Sequence, residues 1–196
     1  ADELICALIH DSFPEDQIVS EELNPDSGEV DGRQWIVDPM DGTAAFVYQV
    51  SKDIPAVLIA FRDNRETLVG VAHFPLTEEW FYAEKSKGAF KGESQIRVPA
   101  ESAPLSRAWI AMNAYGNVQH ETPEFRTIHE KLRSPGGGGL VTGVPAHSGV
   151  ACRIIDSETG VAAVLHDNKP DPIKQGPWDV AAMQLIVEEA GGVVQT

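Results

Sequence analysis

The sequence predicts a mixed α/β fold built around one large, mainly antiparallel sheet. In the first half of the chain, β-rich runs follow one another directly, which favours antiparallel pairing. Segments with helical periodicity precede and follow these runs. The chain has 196 residues, of which 42% are hydrophobic, and no repeat or linker divides it. We therefore predict a single domain over residues 1–196 with one substantial core.

The elements follow from periodicity and turn residues. The first helix places Leu4, Leu8 and Ile9 on one face and ends before Pro14. Two β-rich runs joined by four polar residues predict a hairpin. Strands are predicted at residues 17–20, 35–38, 55–62, 67–74, 79–84, 107–112 and 160–165. Helices are predicted at residues 1–13, 123–133, 147–155 and 179–190.

Composition limits the classes of partner. The net charge of −15 makes the chain a poor binder of nucleic acid or of an anionic membrane. No apolar run is long enough to span a bilayer. Cys6 and Cys152 each lie among apolar residues and are predicted to be free thiols, which favours a reducing compartment. We predict a cytoplasmic protein without a nucleic-acid or membrane partner.

The string WIVDPMDGT has the most specific composition in the chain. Its apolar start predicts a buried strand that stops at Asp38, because Pro39 has no N–H for a sheet ladder. Asp38 and Asp41 then lie on one stiff turn. Gly42 permits a close approach of backbone to ligand, and Thr43 adds a hydroxyl. These groups are suited to holding a hard cation beside a phosphate, although each dipeptide alone is also typical of a plain turn.

Two further acidic positions stand in similar settings. Glu21 and Glu22 follow the predicted strand at residues 17–20, and Asp179 stands at the start of the last predicted helix. Alone, the acidic pair is typical of a solvated loop, and Asp179 is typical of a helix start. The helix of Asp179 contains the strings WDVAA and EAGG.

Taken in order, these strings resemble three signatures of the inositol monophosphatase superfamily. They are an acidic pair after a strand, a DPxDGTxxF turn that ends here at Phe46, and a WDxAA helix that runs to EAGG. The resemblance implies a lithium-sensitive, Mg²⁺-dependent phosphomonoesterase with a layered α/β sandwich fold, commonly a homodimer. It also implies that residues 1–196 lack the usual N-terminal helix and C-terminal segment. The missing N-terminal part normally carries an acid that assists the threonine of the turn.

The resemblance assigns roles to single residues. It implies two or three Mg²⁺ ions and a water molecule as the attacking group. The implied metal ligands are Glu21, Asp38, the Met40 carbonyl, Asp41 and Asp179, with Glu22 near a further ion. The implied catalytic residues are Glu21, Asp41 and Thr43. The implied substrate-binding residues are Gly42, Thr43, Ser148, Gly149 and His166.

The substrate is the least determined part of the prediction. His166 stands where the resemblance places an inositol-binding acid, and a slip of one residue would put Asp167 there instead. We therefore predict a small sugar-type or cyclitol-type phosphate as the substrate. The alternatives are a 3′(2′),5′-bisphosphate nucleotide, fructose 1,6-bisphosphate, or a metal-binding protein of this fold without turnover.

Overall fold

The computed structural model describes most of the first half of the chain and several separate elements of the second half. The described residues are 1–25, 31–48, 55–99, 108–113, 123–133, 139–142, 151–152, 162–166 and 176–194. The helices are α1 (Asp2–Ser12), α2 (Thr43–Tyr48), α3 (Pro123–Arg133) and α4 (Pro177–Glu189). None of the helices in these ranges is both long and apolar enough to cross a membrane.

A seven-stranded sheet forms the larger layer. Its strands are β1 (Gln17–Ser20), β2 (Arg33–Asp41), β3 (Ala56–Asp63), β4 (Glu66–Phe74), β5 (Glu79–Glu84), β6 (Gly88–Lys91) and β7 (Ser94–Ile96). They lie side by side in chain order, and every neighbouring pair is antiparallel except β1–β2. The predicted mixed α/β fold with a large, mainly antiparallel sheet is confirmed. The short strands β6 and β7 were not predicted, because they are rich in glycine and polar residues.

A second, three-stranded sheet is entirely parallel. It consists of β8 (Ala108–Asn113), β9 (Gly139–Thr142) and β10 (Ala162–His166), in the order β10-β8-β9. We did not predict this parallel sheet. A parallel pair needs a long connection between its strands, so its strands are not consecutive β-rich runs like those that indicated antiparallel pairing. Of the helix predicted at residues 147–155, only Ala151 and Cys152 are described, and both are helical.

The core lies between the large sheet and α4. This helix contacts β2 to β6, and the fully buried side chains include Leu58, Phe74, Phe81 and Ile186. The close packing of α4 on β4 requires a glycine in the strand, since a Cβ at Gly70 would lie 2.6 Å from the Ala182 carbonyl oxygen. The helix is therefore seated directly on the sheet backbone.

The end of β2 differs from the prediction. We expected the strand to stop at Asp38, and this is wrong, because β2 continues to Asp41. Asp38 pairs with Leu58 and Asp41 pairs with Ala56, so two residues of β2 fall within an irregularity of the register. Pro39 is one of them. A proline is tolerated at such a bulge because the ladder requires no N–H from it there.

Candidate metal centre

The β2 bulge presents two buried carboxyl groups. Asp38 and Asp41 have only 1% and 5% of their surface exposed. The Asp38 side chain accepts a hydrogen bond from the Met40 N–H at 2.9 Å, which fixes the carboxyl group within the bulge. Gly42 has a φ of +87°, a value that L-residues with side chains rarely adopt, and it directs the chain from β2 into α2.

Asp179 is held by the start of α4. Its side chain accepts a hydrogen bond from the Gly176 N–H at 2.8 Å, which satisfies an N–H group just before the helix. Pro177 occupies the first turn, where no N–H is needed. The Trp178 ring fills the space beside Gly176, where a Cβ would lie 2.2 Å from the ring. These local features set the position of the Asp179 carboxyl group.

The fold brings three of the predicted ligands together. Asp38, Asp41 and Asp179 each offer one carboxyl oxygen, and these three atoms lie within 4.8 Å of one another. Two of the residues come from β2 and the third from α4, which packs on that sheet. The group has the spacing of a metal site built from carboxylates.

Glu21 reaches the same place through the parallel β1–β2 pair. Ser20 pairs with Val37, and the Glu21 N–H donates to the Val37 carbonyl at 3.2 Å. Because Ser20 lies opposite Val37 in a parallel pair, the next residues, Glu21 and Asp38, also lie side by side. The charge of Glu21 acts on the Asp38 carboxyl group, although Glu21 is not one of the three clustered residues.

The electrostatics of the cluster favour a positive occupant. Burial raises the pKa of Asp38 to about 9, and the charges of Asp41 and Glu21 add to this shift. Burial also raises the pKa of Asp179 to about 6, again with a contribution from Asp41. The pKa of Glu21 is raised by burial first and then by Glu22, Asp41 and Asp2. Burial and neighbouring negative charges thus oppose ionisation of Glu21, Asp38 and Asp179.

The donor set fits a hard divalent cation. Three carboxyl oxygens within 4.8 Å of one another repel when they are ionised, and a bound cation offsets this repulsion. All the side-chain donors are oxygen atoms, which suit Mg²⁺ or Ca²⁺ better than softer metals.

A family model described as the inositol monophosphatase family matches residues 1–196. The chain belongs to this family. A fructose-1,6-bisphosphatase/inositol-1-monophosphatase of Thermotoga maritima is 32% identical over 99% of this chain and 67% of its own length. The prediction of a family of phosphoric monoester hydrolases is thereby confirmed. The chain spans about two thirds of the length of the relatives it matches.

Solved structures of the family share the fold. The structure of the Thermotoga maritima inositol monophosphatase aligns with 97% of this chain and 66% of its own chain, at a TM-score of 0.73 and 25% identity. A structure of an IMPase/NADP phosphatase complexed with Mg²⁺ and phosphate aligns with 97% of this chain and 65% of its own, at a TM-score of 0.74 and 20% identity. The second likeness concerns the fold alone.

Beside the cluster of Asp38, Asp41 and Asp179, Thr43 begins α2. Its hydroxyl donates a hydrogen bond to the Met40 carbonyl at 2.8 Å, and its side chain is exposed. The Met40 oxygen, predicted as a metal ligand, thus already accepts one bond and retains a second lone pair. Gly42 immediately precedes Thr43, so the structure places both predicted phosphate-binding amides next to the cluster.

The remaining predicted residues are not brought to the cluster by described contacts. Ser148 and Gly149 lie outside the described residues, as does Asp167. His166 is the last residue of β10 in the second sheet, where the backbone alone is described. Glu22 is exposed, and its charge acts on Glu21. The predictions for these residues stay predictions.

The structure adds two residues that the sequence did not single out. The Ser20 hydroxyl donates a hydrogen bond to the Asp2 carboxylate at 2.5 Å, directly before Glu21. Both side chains are buried. In the sequence, Asp2 has only the pattern of an acid in the first turn of a helix, and its contact with Ser20 depends on how α1 packs.

Proposed function

We propose that this chain carries the Mg²⁺ centre of a phosphomonoesterase that hydrolyses a small phosphate ester with water. The observation that carries the proposal is the meeting of three carboxyl oxygens, from Asp38, Asp41 and Asp179, within 4.8 Å. When bound there, Mg²⁺ would neutralise the acids, lower the pKa of water and stabilise the charge of the leaving oxygen.

In this proposal the residues of the chain bind the metal and hold its ligands in position. Asp38, Asp41 and Asp179 hold the metal, with Glu21 and the Met40 carbonyl completing the set of ligands. The bulge in β2 and the start of α4 fix the three aspartates before any ligand arrives, so little reorganisation is needed on binding.

The turn after Asp41 is proposed to bind phosphate oxygens and to orient the attacking water. The Gly42 and Thr43 N–H groups hold phosphate oxygens. The Thr43 hydroxyl proton is engaged by the Met40 carbonyl, so its oxygen lone pairs are available to accept a hydrogen bond from water. This orients the water for attack in line with the departing group.

The substrate proposed is a small sugar-type or cyclitol-type phosphate. Support comes from the relative named for both fructose-1,6-bisphosphatase and inositol-1-monophosphatase activities. The alternatives are a 3′(2′),5′-bisphosphate nucleotide or fructose 1,6-bisphosphate itself. The all-oxygen donor set of Asp38, Asp41 and Asp179 supports the choice of metal. We keep a homodimer and a cytoplasmic location as predictions.

The test is phosphate release from a panel of small phosphate esters, with and without Mg²⁺. We expect release that requires Mg²⁺ and that falls by about 10³-fold in Asp41→Asn, because the loss of a metal ligand removes several kcal/mol of charge stabilisation. Asp11→Asn, which changes an exposed acid of α1, is the matched control. Mg²⁺ binding without phosphate release from any ester would show a non-catalytic protein instead.

A further inference from the structure

The buried carboxylate of Asp2 takes no part in the function proposed above. Asp2 has 3% of its surface exposed, although it stands in the first turn of α1, where acids are usually solvated. Both of its oxygens are engaged. Oδ2 accepts from the Ser20 hydroxyl at 2.5 Å, and Oδ1 accepts from the Cys6 thiol at 3.3 Å.

Ser20 links this carboxylate to the metal centre. It is fully buried, and it is the last residue of β1. Its carbonyl accepts a hydrogen bond from the Asn24 N–H at 3.1 Å, which closes the turn that contains Glu21. The next N–H along the chain, that of Glu21, is bound to Val37. The start of this turn is therefore fixed on its backbone by β2 and on its side chain by α1.

We infer that Asp2 is a positioning residue for the metal centre, because its hydrogen bond to Ser20 fixes the turn that presents Glu21. This inference rests on the proposed function, in which Glu21 is a metal ligand. A carboxylate that accepts a hydrogen bond from a buried hydroxyl restrains the rotamer of that serine. Residues that orient metal ligands without touching the metal commonly change metal affinity by 10-fold to 100-fold.

A purely structural role makes a different prediction. If Asp2 only anchors α1 to the sheet, its loss lowers the melting temperature and leaves the Mg²⁺ affinity of the folded chain unchanged. If Asp2 positions Glu21, its loss raises the Mg²⁺ dissociation constant, while turnover at saturating Mg²⁺ is largely retained. The split between Mg²⁺ affinity and turnover therefore separates the two roles.

The experiment measures Mg²⁺ binding by calorimetry and Mg²⁺-dependent phosphate release in Asp2→Ala, Ser20→Ala and the double variant. We expect the dissociation constant to rise roughly tenfold in each single variant. The double variant should be no weaker than the single variants, because both remove the same bond. Glu3→Ala is the control, since Glu3 is an exposed acid of the same helical turn. It should stay within about twofold of the parent chain.

Asp2→Asn provides a second variant if Asp2→Ala does not fold. It keeps an acceptor oxygen for Ser20 and should bind Mg²⁺ more tightly than Ser20→Ala. Unchanged Mg²⁺ affinity in Ser20→Ala would overturn the inference, as would effects that multiply in the double variant. If the parent chain itself neither binds Mg²⁺ nor releases phosphate, the proposed function fails instead, so the two failures are distinguishable.

Discussion

The two ends of α4 carry acidic side chains in opposite surroundings. At the first turn, Asp179 lies against Asp41 and Asp38, and burial raises its pKa to about 6. At the last turn, Glu189 accepts hydrogen bonds from the Ser86 N–H at 2.7 Å and the Gly88 N–H at 2.8 Å. Ser86 lies in the turn between β5 and β6, and Gly88 is the first residue of β6.

The difference shows what separates a structural acid from one suited to bind a ligand. A negative charge near a helix C-terminus is unfavourable, and at Glu189 two backbone donors offset this cost. A negative charge near a helix N-terminus is favourable, yet at Asp179 burial first, and the surrounding acids second, reverse the advantage. The carboxyl group surrounded by donors ties α4 to the sheet, whereas the group surrounded by other acids is suited to bind a cation.

The largest expected effect comes from the acidic end. Asp38→Asn should lower kcat/KM for phosphate release by about 10³-fold, since an amide is a poorer metal ligand and several kcal/mol of charge stabilisation are lost. The measurement is phosphate release at saturating Mg²⁺, with Asp11→Asn as the control. Turnover within tenfold of the parent chain would show that Asp38 is not a metal ligand.

A second effect is a dependence of stability on pH. The folded pKa of Asp38, about 9, lies above the ordinary value of 3.8, so the folded chain holds this proton more tightly than the unfolded chain. The stabilisation is complete below about pH 4 and is lost as the pH rises towards about 9. Without metal, we therefore expect the free energy of unfolding to fall across this window by roughly 2 to 4 kcal/mol. Added Mg²⁺ should restore it at the alkaline end.

Thermal or denaturant unfolding with a chelator, and again with Mg²⁺, measures this dependence. Asp38→Asn is the informative control, because its pH profile without metal should be flatter than that of the parent chain. Identical profiles for the two chains would mean that Asp38 does not carry the effect.

A third effect should reach both ends of the helix. Gly70→Ala places a Cβ against the Ala182 carbonyl, and the resulting shift of α4 should cost about 1 to 3 kcal/mol of stability. Because Asp179 moves with the helix, Mg²⁺ affinity should fall as well. Calorimetry and chemical denaturation of the same variant measure both quantities. A variant that loses stability and keeps full Mg²⁺ affinity would show that the acidic end is positioned independently of this contact.

The smallest effect is expected at Glu189. Glu189→Gln replaces one accepting oxygen with an NH₂ group and should lower the free energy of unfolding by about 1 to 2 kcal/mol. The Mg²⁺ dissociation constant should stay within about twofold of the parent value. Glu188→Gln, an exposed neighbour, is the matched control and should change stability by less than about 0.5 kcal/mol. A large loss of Mg²⁺ affinity in Glu189→Gln would contradict the division between the two ends.

Local patterns were sufficient to predict part of this structure. The strand before Glu21, the β3–β4 hairpin and the helix that starts near Asp179 were predicted because turn and cap chemistry acts between residues close in sequence. The acids of the candidate site were recognised by their place at the ends of such elements. The end of β2 was misjudged at Pro39, because a bulge depends on how the partner strand pairs.

The sequence by itself thus determined the acids of the candidate site, the mixed α/β class and the family, but not that Asp38 lies inside β2. Only the tertiary structure decided that β1 pairs with β2 in parallel, which sets Glu21 beside Asp38, and that α4 brings Asp179 to the same place. It also decided that Glu189 meets backbone donors. The direction of a strand and the position of a helix on a sheet depend on packing between residues far apart in the chain. Short sequence patterns do not show which of these residues meet.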